Sequence, residues 1–559
     1  MWLDHRNAGE AQSAIPAGNS VPYKTSLVHE ILEEQATNIP DAPLLDYFGQ
    51  IYSYRDIDDE ARRVASGLAK LRIRQGDRVG LLLPNVPQYV SAYYGIMMLG
   101  AVVVNYSPLS SVDQIARQVE DSGTRLLLTL DSKDLLPLAL HALDGTSLEH
   151  IVVASVTSRL PLLKSLLYRI FNVRETCEVP ERSDLSLFRD LVRNRGGHPR
   201  PEIDPCKAAA LFQYTGGTTG TPKAAVLTHS NLVQNARQVL QVDPAKGDID
   251  RVMGALPLFH IFGQTIILNR TIANGGTVIL LPRFNAGDVI DAMGRASPSA
   301  LPGVPAMFEK LLKHRRIRRV DWSGVRTCVV GGAPLSERLA ARFYRETGIT
   351  LTQGYGLTES AGVVAANQAG THVPSTCVGK PLEGTTVRIA EPGCPEQAVE
   401  GGAPGEILVA GPQIMWGYLH AGEENPFFER FLKTGDIGRI DVKGRLHVLD
   451  RLKDILLVGG ANVYPSQLEE KIRNHPDIVD CAVVGAAHPV LGQAPWALVV
   501  QRRGKPLSVF QAMHWINARV GKHERLHGIV FVRSIPRTSL GKPDRNRLTR
   551  ILAKRKIEK

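Results

Sequence analysis

The chain has 559 residues, of which 43% are apolar and 22% are charged, and its formal net charge is +11. Because a single hydrophobic core rarely extends beyond about 250–300 residues, this length predicts a globular protein with two or more domains. The positive charge favours anionic ligands. No basic run is interleaved with aromatic residues, and no zinc-finger or RNA-binding signature is present, so we expect no nucleic-acid partner.

The six cysteines are scattered along the chain, without a Cys-x-x-Cys pair and without histidines at the spacing of zinc ligands. This pattern argues against a zinc-binding module and predicts a reducing compartment. The amino terminus shows no basic region followed by an apolar run, and no stretch of about 18 uninterrupted apolar residues occurs. We therefore expect a cytoplasmic protein without a signal peptide or a membrane-spanning helix.

Short β-rich apolar runs alternate with helical patterns from about residue 27 to about residue 440. The apolar runs cover residues 78–83, 125–130, 151–156, 208–214, 277–281 and 327–330, and the clearest helical patterns cover residues 54–71 and 335–347. Strands that alternate with helices predict an α/β fold with parallel sheets. Because such sheets carry their chemistry at the carboxyl ends of the strands, we expect the functional residues where these runs end.

One segment between these elements, residues 160–171, carries leucines and an isoleucine on a single helical face. An amphipathic surface helix packed on the core accounts for this pattern. The alternative interpretation is a peripheral contact with the inner face of a membrane. The sequence pattern leaves both interpretations open.

The alternation of strands and helices restarts on a smaller scale after residue 446. Its apolar runs and helical stretches predict a compact α+β domain of about a hundred residues. The polar sequence Asp-Arg-Leu-Lys-Asp at residues 450–454 lies between the two parts. We therefore predict a large domain at residues 1–449, a hinge at 450–454 and a small domain at 455–559.

The sequence AAALFQYTGGTTGTPK at residues 208–223 places a loop rich in glycine and threonine directly after a buried strand. Glycine lets the backbone approach a ligand closely, and successive N–H groups of such a loop can surround an anion. Hydroxyl groups and a lysine add donors to phosphate oxygens. The candidate phosphate ligands are Thr215, Gly216, Gly217, Thr218, Thr219, Gly220 and Lys223. Pro222 precedes the lysine, so the loop is not a Walker A motif.

The loop at residues 214–223 resembles the signature of the AMP-forming acyl-adenylating superfamily, which includes acyl-CoA synthetases, luciferases and the adenylation domains of peptide synthetases. It looks most like the loop of bacterial long-chain fatty acyl-CoA synthetases, although Ala224 replaces the glycine that usually follows the lysine. Six motifs occur in the family's order between about residues 25 and 547. The resemblance implies a large N-terminal AMP-binding domain of packed α/β sheets and a small, mobile α+β C-terminal lid domain.

The stretch QGYGLTES at residues 353–360 is not a dinucleotide fingerprint, since Glu359 stands where that motif has its third glycine. By the resemblance, Tyr355 stacks on adenine and Thr358 contacts the α-phosphate of ATP. Glu359 helps to hold Mg²⁺, an ion that prefers a carboxylate together with phosphate oxygens.

Further motifs complete the nucleotide site that the resemblance implies. Asp436, in the sequence Lys-Thr-Gly-Asp, would accept hydrogen bonds from the ribose hydroxyls. Arg451 would contact the ribose or a phosphate. The other implied nucleotide contacts lie in the stretch VVGGAPL at residues 329–335 and at the start of QGYGLTES: Gly332, Ala333, Gln353 and Gly354.

The sequence IPRTSLGK at residues 535–542 resembles the final motif of the family, whose lysine is essential for adenylation. Lys542 would bridge the substrate carboxylate and the α-phosphate as charge moves between them. Pro543 follows it, where the family more often has an aliphatic residue. Together with Thr358, Glu359 and His260, Lys542 makes up the set of candidate catalytic residues.

The resemblance implies two half-reactions that use ATP, Mg²⁺ and coenzyme A. The acid first forms acyl-AMP with release of pyrophosphate, and a thiol then displaces AMP. Between the two steps the small domain would rotate about Lys453 and withdraw Lys542 from the site. Gly459 and Gly460 would then face the pantetheine, and Arg283 would contact a phosphate of coenzyme A.

The stretch LPLFHIFG at residues 256–263 lines the acyl pocket by the resemblance. Relatives that activate amino acids have an aspartate beside the phenylalanine, whereas here the residue is His260, so an amino acid is disfavoured. Phe259, Phe262 and Gly263 indicate an apolar slot. We predict a fatty acid of medium or long chain as the substrate, and an aryl or terpenoid acid stays open.

Three classes of function compete for this sequence. The first is an acyl-CoA synthetase. The second is a ligase that loads the acyl group onto a carrier protein, or a lactone-forming relative, and no feature of the sequence excludes it. The third is a catalytically silent binding paralogue, against which the retention of Lys542, Glu359 and Asp436 argues. The sequence does not indicate an oligomeric state.

Overall fold

The computed structural model describes residues 25–159, 175–215, 222–242, 250–420, 425–505, 507–537 and 543–557. Several predictions of the sequence fall outside these ranges. They concern the amphipathic segment 160–171, the loop residues Gly216, Gly217, Thr218, Thr219 and Gly220, and the lysine of the final motif, Lys542.

A mainly parallel sheet forms the first layer and counts eight strands within the described ranges. In spatial order its strands are Gly417–Tyr418, Ala224–Thr228, Ala209–Tyr214, Val102–Asn105, Arg78–Leu81, Thr124–Leu130, His150–Ala154 and Leu185–Leu187. The last six are parallel to one another. Every residue of Val102–Asn105 is buried, because parallel strands are covered on both faces.

Helices that precede, separate or follow these strands along the chain alternate with them, as the sequence pattern predicts. They are Tyr54–Lys70, Pro87–Met98, Val112–Ser122, Leu136–Gly145 and Phe188–Leu191. Tyr54–Lys70 confirms the helical pattern at residues 54–71. It begins at a capping box in which Ser53 and Asp56 exchange hydrogen bonds, which satisfies donors of the first turn. All residues of Pro87–Met98 are buried, so this helix lies within the core.

A four-stranded sheet forms the second layer of the described structure, in the order Arg251–Gly254, Thr277–Leu280, Pro43–Tyr47 and Gln50–Ser53. The α-helices around it and around the following sheet are Val28–Asn38, His229–Val242, Ile261–Gly263, Arg270–Ala273, Ala286–Ala296, Pro305–Lys313 and Glu337–Thr347. A π-helical stretch, Gln264–Asn269, joins two of them into one continuous helical segment at residues 261–273. Such stretches are rare and are frequent at functional sites.

A mainly antiparallel sheet of ten described strands forms the third layer. Its order is Cys328–Val330, Leu351–Tyr355, Ala365–Ala366, Cys377–Pro381, Leu446–Arg451, Phe431–Ile440, Gly405–Ala410, Thr386–Glu391 and Cys394–Ala398, and Phe427–Phe428 also pairs with Phe431–Ile440. The prediction of parallel strands up to about residue 440 is therefore wrong after residue 365. The pairs Gly405–Ala410 with Phe431–Ile440 and Cys377–Pro381 with Leu446–Arg451 are antiparallel, and no crossover helix lies between the strands of this region in the part of the chain that the structure describes.

The residues after 455 form a separate five-stranded sheet in the described structure, which confirms the predicted small α+β unit. The strand order is Ala461–Val463, Leu456–Val458, Gly492–Gln501 and Ile478–His488, and Gly528–Phe531 pairs with Gly492–Gln501. The helices of this unit are Pro465–Arg473, Val509–Asn517 and Arg545–Ile557. The fold is therefore α/β, with a large N-terminal part and a smaller C-terminal part that has its own hydrophobic core.

Short 3₁₀ turns connect several elements: Val156–Arg159, Ile317–Arg319, Thr358–Ser360, Leu452–Asp454 and Lys522–Glu524. The predicted hinge at residues 450–454 covers the last two residues of the strand Leu446–Arg451 and the turn Leu452–Asp454. This placement agrees with a hinge between the two parts, and the domain boundary itself stays a prediction. The described residues contain no helix that is long and apolar enough to cross a membrane.

Candidate active site

A deep cavity lies where the strand ends of the large part meet. Many of the residues predicted from the motifs line it: Thr215, His260, Gly332, Gln353, Gly354, Tyr355, Thr358, Glu359 and Arg451. Its polar lining includes Thr358, Glu359 and Arg451, and three of its apolar lining residues, Ile266, Val363 and Leu382, form one hydrophobic cluster. The arrangement joins a site for a charged, polar molecule to a slot for an apolar group.

The base of the phosphate loop is a hairpin rather than the start of a helix. The strands Ala209–Tyr214 and Ala224–Thr228 run antiparallel, and the N–H of Thr215 donates to the carbonyl of Lys223 at 2.9 Å. Ala224 pairs with Tyr214 in this ladder and is 3% exposed. The extra methyl group of Ala224 is therefore accommodated within a regular, buried strand pair, which accounts for this departure from the family pattern.

The stretch 353–360 runs from a strand into the 3₁₀ turn Thr358–Ser360. A Cβ atom at Gly356 would lie 1.9 Å from the carbonyl oxygen of Gly362, so glycine alone fits this close approach. The hydroxyl of Ser360 accepts from the N–H of Leu357 at 3.0 Å and closes the turn. The turn presents Thr358 and Glu359 to the cavity.

Tyr355, Asp436 and Arg451 form one hydrogen-bonded cluster. The hydroxyl of Tyr355 donates to Oδ2 of Asp436 at 2.6 Å, and Nε of Arg451 lies 2.8 Å from Oδ1 of the same carboxylate. Asp436 and Arg451 are directly opposite in the register of their strands. Burial, followed by the charge of Asp436, raises the pKa of Tyr355. The charge of Asp436 is also the main cause of the raised pKa of Arg451.

This cluster fixes the orientation of a carboxylate that is 3% exposed and that contacts two residues of the cavity lining, Tyr355 and Arg451. A carboxylate has about four lone-pair sites and can accept further donors beside Tyr355 and Arg451. The geometry therefore suits a ligand that offers hydroxyl groups, as the two ribose hydroxyls of a nucleotide do.

A second cluster contains Glu359, Tyr418 and Lys223. The hydroxyl of Tyr418 donates to Oε1 of Glu359 at 2.8 Å. Nζ of Lys223 lies 5.2 Å from the centroid of the Tyr418 ring, within the range of a cation–π contact. Burial and then the charge of Glu359 raise the pKa of Tyr418, so its hydroxyl stays protonated and acts as a donor.

Tyr418 is a site residue that the sequence analysis missed. It lies in the two-residue strand Gly417–Tyr418, which pairs with Ala224–Thr228 and so continues the sheet beside the phosphate loop. The pairing joins residues almost two hundred positions apart, and its only sign in the sequence is a Gly-Tyr pair after an apolar stretch. Such a pair is too common to indicate a role.

The described residues contain no group of three or more histidine, cysteine or acidic side chains that could hold a metal ion. Mg²⁺ does not need one, because it commonly uses one or two carboxylates together with substrate phosphates. Glu359 fits this pattern, since it lies in the cavity beside the end of the phosphate loop and Tyr418 orients its carboxylate.

His260 and Phe262 both line the cavity, and Phe262 packs against its apolar cluster. Nδ1 of His260 accepts from the N–H of Phe262 at 3.2 Å, which places the proton of a neutral imidazole on Nε2. The ring of Phe262 packs on Gly331, where a Cβ atom would lie 2.8 Å from its Cζ. Gly331 therefore leaves room for the aromatic ring.

Several predicted residues do not line this cavity. Ala333 lies one residue beyond Gly332, and the exposed residues Arg283, Lys453, Gly459 and Gly460 lie elsewhere. Burial and the charge of Arg451 lower the pKa of Lys453. Gly459 and Gly460 have φ angles of 58° and 83° and form a turn that favours glycine. Their expected roles, in rotation and in coenzyme A binding, concern the second half-reaction and stay predictions.

Two known family models match most of the chain. Residues 32–419 match the family described as AMP-binding enzyme, and residues 467–542 match the AMP-binding enzyme C-terminal domain. The chain is 32% identical to a long-chain-fatty-acid–CoA ligase of Bacillus subtilis, over 98% of this chain and 97% of that protein. It is also 32% identical to a feruloyl-CoA synthase of Amycolatopsis, over 90% of this chain and 94% of that protein.

Solved structures have the same fold. ATP-bound MatB from Rhodopseudomonas palustris superposes with a TM-score of 0.82 at 24% identity, over 94% of this chain and 99% of that one. MenE from Bacillus subtilis, in complex with ATP and magnesium ion, superposes with a TM-score of 0.75 at 27% identity, over 93% and 99% of the two chains. The motifs, the cavity and these comparisons together establish that the chain belongs to the AMP-binding enzyme family.

Proposed function

We propose that the protein is an AMP-forming acyl-CoA synthetase that activates a medium- or long-chain fatty acid. The carboxylate of the acid attacks the α-phosphorus of ATP, the bond to the bridging oxygen breaks, and acyl-AMP and pyrophosphate form. The thiol of coenzyme A then loses its proton and attacks the acyl carbonyl carbon. The bond to the AMP oxygen breaks, and acyl-CoA and AMP leave.

One observation carries this proposal: the same cavity joins the two polar clusters to an apolar slot. The cluster around Asp436 suits the ribose of ATP, and the cluster around Glu359 lies at the base of the phosphate loop. The reacting carboxylate would therefore lie between them, near His260. Relatives named long-chain-fatty-acid–CoA ligase support a fatty acid as the substrate.

In this proposal the residues act mainly by positioning and by charge. Tyr355 stacks on adenine, Asp436 and Arg451 hold the ribose, and Thr358 contacts the α-phosphate. Glu359 holds Mg²⁺, which neutralises phosphate charge when bound. Lys542 bridges the acid and the α-phosphate, a role that rests on its motif in the sequence.

The proposed function is tested by incubating the purified protein with ATP, Mg²⁺ and a fatty acid, with and without coenzyme A. We expect the release of pyrophosphate to require the acid. We expect the protein to release more than one AMP per active site only when coenzyme A is present. AMP release at the same rate without coenzyme A would contradict the thiol acceptor and favour a carrier-protein ligase. If no acid in a panel that includes ferulate yields pyrophosphate, the protein is a binding paralogue.

We further propose that the segment 160–171 contacts a membrane surface from which the acid is collected. The sequence pattern, which would place its leucines and isoleucine on one face if the segment were a helix, supports this proposal. Co-sedimentation with anionic vesicles is the measurement. Binding should fall in a variant that carries Leu163→Asp and Leu167→Asp, and unchanged binding would identify the segment as an ordinary packed helix.

A further inference from the structure

The apolar end of the cavity is a slot between a helical wall and a sheet wall. On the helical wall, Phe262, Ile266 and Arg270 line the cavity and follow one another at intervals of four residues along the segment 261–273. Residues at this spacing lie on the same face of a helix. The wall therefore changes along its length from an aromatic ring to an aliphatic side chain and then to a guanidinium group.

The sheet wall is made by alternate residues of one strand and its neighbours. Gly331, Val329 and Thr327 line the cavity, as expected for side chains that point to the same face of a strand. Ala300 forms bridges with both Val252 and Thr327, so these three residues lie side by side at the inner end. The inner end of the slot is thus defined by Thr327 on one wall and Arg270 on the other.

The length of the slot follows from the backbone geometry of both walls. Phe262 packs on Gly331 at the nucleotide end. From Gly331 to Thr327 the strand advances by ~13 Å. From Phe262 to Arg270 an α-helix would advance by ~12 Å, and the wider π-helical turn at Gln264–Asn269 makes this wall shorter. The slot is therefore at most ~13 Å deep.

The charged group at the inner end is held firmly in place. The side chain of Arg270 is 4% exposed and forms an ion pair with Asp250, whose side chain is 0% exposed. Asp250 also contacts Nη2 of Arg326 at 3.2 Å and accepts from the hydroxyl of Ser299 at 2.9 Å. Displacing Arg270 would remove a partner from a fully buried carboxylate, which is strongly unfavourable. An acyl chain therefore does not push this side chain aside.

We infer that Arg270 determines the length of the acid that the protein accepts, and that the preferred acid has a medium-length chain. This inference rests on the proposed function. Long acyl chains span about 15 Å in one leaflet of a bilayer, whose hydrocarbon core is about 30 Å thick. That span exceeds the slot, and the part of the chain beyond it would meet the buried ion pair instead of an apolar surface.

The test is a length profile of kcat/KM for acyl-CoA formation, measured on the full-length protein with straight-chain saturated acids. For the wild-type protein we expect a maximum at medium length and a fall of roughly 10-fold or more for long acids. Arg270→Met replaces the guanidinium with a flexible apolar side chain, and it should move the maximum to longer acids. A wild-type profile without a fall at long acids, or an Arg270→Met profile equal to that of the wild type, would overturn the inference.

Arg326→Met is the matched control, because Arg326 contacts the same carboxylate but does not line the cavity. The length profile of Arg326→Met should equal that of the wild type. An equal shift of the maximum in Arg270→Met and Arg326→Met would overturn the inference, because the loss of a charge beside Asp250 would then explain the shift. Ala300→Leu tests the same slot from the opposite wall, even if Arg270→Met does not fold. It should move the maximum to shorter acids, and an unchanged maximum would contradict the inference.

The outcomes separate this inference from the proposed function. If no acid supports release of pyrophosphate from ATP, the proposed function is wrong and the inference falls with it. If the protein is active but its profile is flat across all lengths, the length-setting role of Arg270 alone is wrong.

Discussion

Tyr418 connects two functional groups that belong to different motifs. Its ring lies against Lys223 at the end of the phosphate loop, and its hydroxyl orients Glu359. A lone carboxylate on a short turn could adopt several rotamers, and a fixed donor restricts them. Tyr418 therefore acts as a positioning residue for the carboxylate that we assign to Mg²⁺.

Tyr418→Phe should weaken the use of Mg²⁺ while it leaves the fold intact. The variant keeps the ring beside Lys223 and loses only the hydrogen bond to Glu359. Loss of one such bond to a charged group corresponds to about a 10-fold effect. We expect the Mg²⁺ concentration for half-maximal release of pyrophosphate to rise by about this factor. Tyr344→Phe, at an exposed ring on a surface helix, is the control. Equal Mg²⁺ titrations of wild type and Tyr418→Phe would refute the role.

Residue types and their order identified several residues that the structure brings together. Tyr355, Glu359 and Arg451 line one cavity and Asp436 contacts Tyr355 and Arg451, whereas the roles of these residues toward a nucleotide stay predictions. Tyr418 and Arg270 could not be predicted, because their significance comes from contacts across distant parts of the chain. A tyrosine after a glycine, or an arginine in an apolar run, has no functional meaning until its neighbours are known.

At the scale of elements, the turn Thr358–Ser360 depends on close contact between two backbone segments. The carbonyl of Gly362 approaches Gly356, and Ala361 adopts a φ of 53° within the same turn. Positive φ is unfavourable for a residue with a side chain, so the surrounding contacts must hold it. The turn that carries Thr358 and Glu359 can thus form only because Gly356 has no side chain that would collide with Gly362.

Gly356→Ala should disrupt this turn. The added Cβ would lie 1.9 Å from the carbonyl oxygen of Gly362, a distance that forces one backbone segment to move. We expect a lower melting temperature and a loss of pyrophosphate release of at least roughly 100-fold, as when a catalytic group moves by about 1 Å. Gly294→Ala, in the helix Ala286–Ala296 with open space around it, should be neutral or stabilising. Full activity of Gly356→Ala would show that the turn tolerates another shape.

The sequence pattern predicted the parallel layer and the small C-terminal unit better than the region between them. Alternating runs correctly indicated strands such as Ala209–Tyr214 and helices such as Tyr54–Lys70. The antiparallel strands after residue 365 pair over long and variable distances, as Cys377–Pro381 does with Leu446–Arg451. Such pairing depends on which edges meet in three dimensions, and the local periodicity that identifies a strand does not specify its partner.

At the scale of the whole molecule, Asp450 connects the large part to the small one. Its Oδ2 accepts from the N–H of Ser466, at the start of the helix Pro465–Arg473, at 2.7 Å. Burial raises the pKa of Asp450 to about 6, and the nearby Arg545 opposes that shift. The start of this helix therefore donates to a carboxyl group whose pKa is raised by burial.

A raised pKa predicts a defined dependence of stability on pH. Because the folded state binds the Asp450 proton more tightly than the unfolded state, the contribution of Asp450 to stability is largest below pH ~4 and is lost as the pH rises through about 6. The slope from this group is at most about 1.4 kcal/mol per pH unit. Denaturant unfolding between pH 4 and 7 measures it, and Asp450→Asn should flatten the profile in this window. An identical slope in both proteins would contradict the assignment.

Lys542→Ala tests the two-step scheme across both parts of the chain. The variant should abolish the formation of acyl-AMP from ATP and the acid, because the positive charge between carboxylate and α-phosphate is lost. It should spare the transfer of supplied acyl-AMP to coenzyme A, since the lysine is withdrawn for that step in the proposed rotation. Single-turnover assays of each half-reaction measure the difference. An equal decline of both would contradict the rotation of the small domain.

The pairing of Asp436 with Arg451 has a consequence for the energetics of the catalytic cycle. Arg451 is the last residue of its strand and leads directly into the turn Leu452–Asp454, whereas Asp436 is the proposed ribose ligand. Binding of the nucleotide and rotation of the small domain would then both affect the ion pair between Asp436 and Arg451. Thermodynamic coupling is reciprocal. If a domain orientation weakens this pair and changes the affinity for the nucleotide by some factor, the bound nucleotide changes the equilibrium between domain orientations by the same factor. Release of AMP and the return of the small domain to its first orientation would thus be thermodynamically coupled.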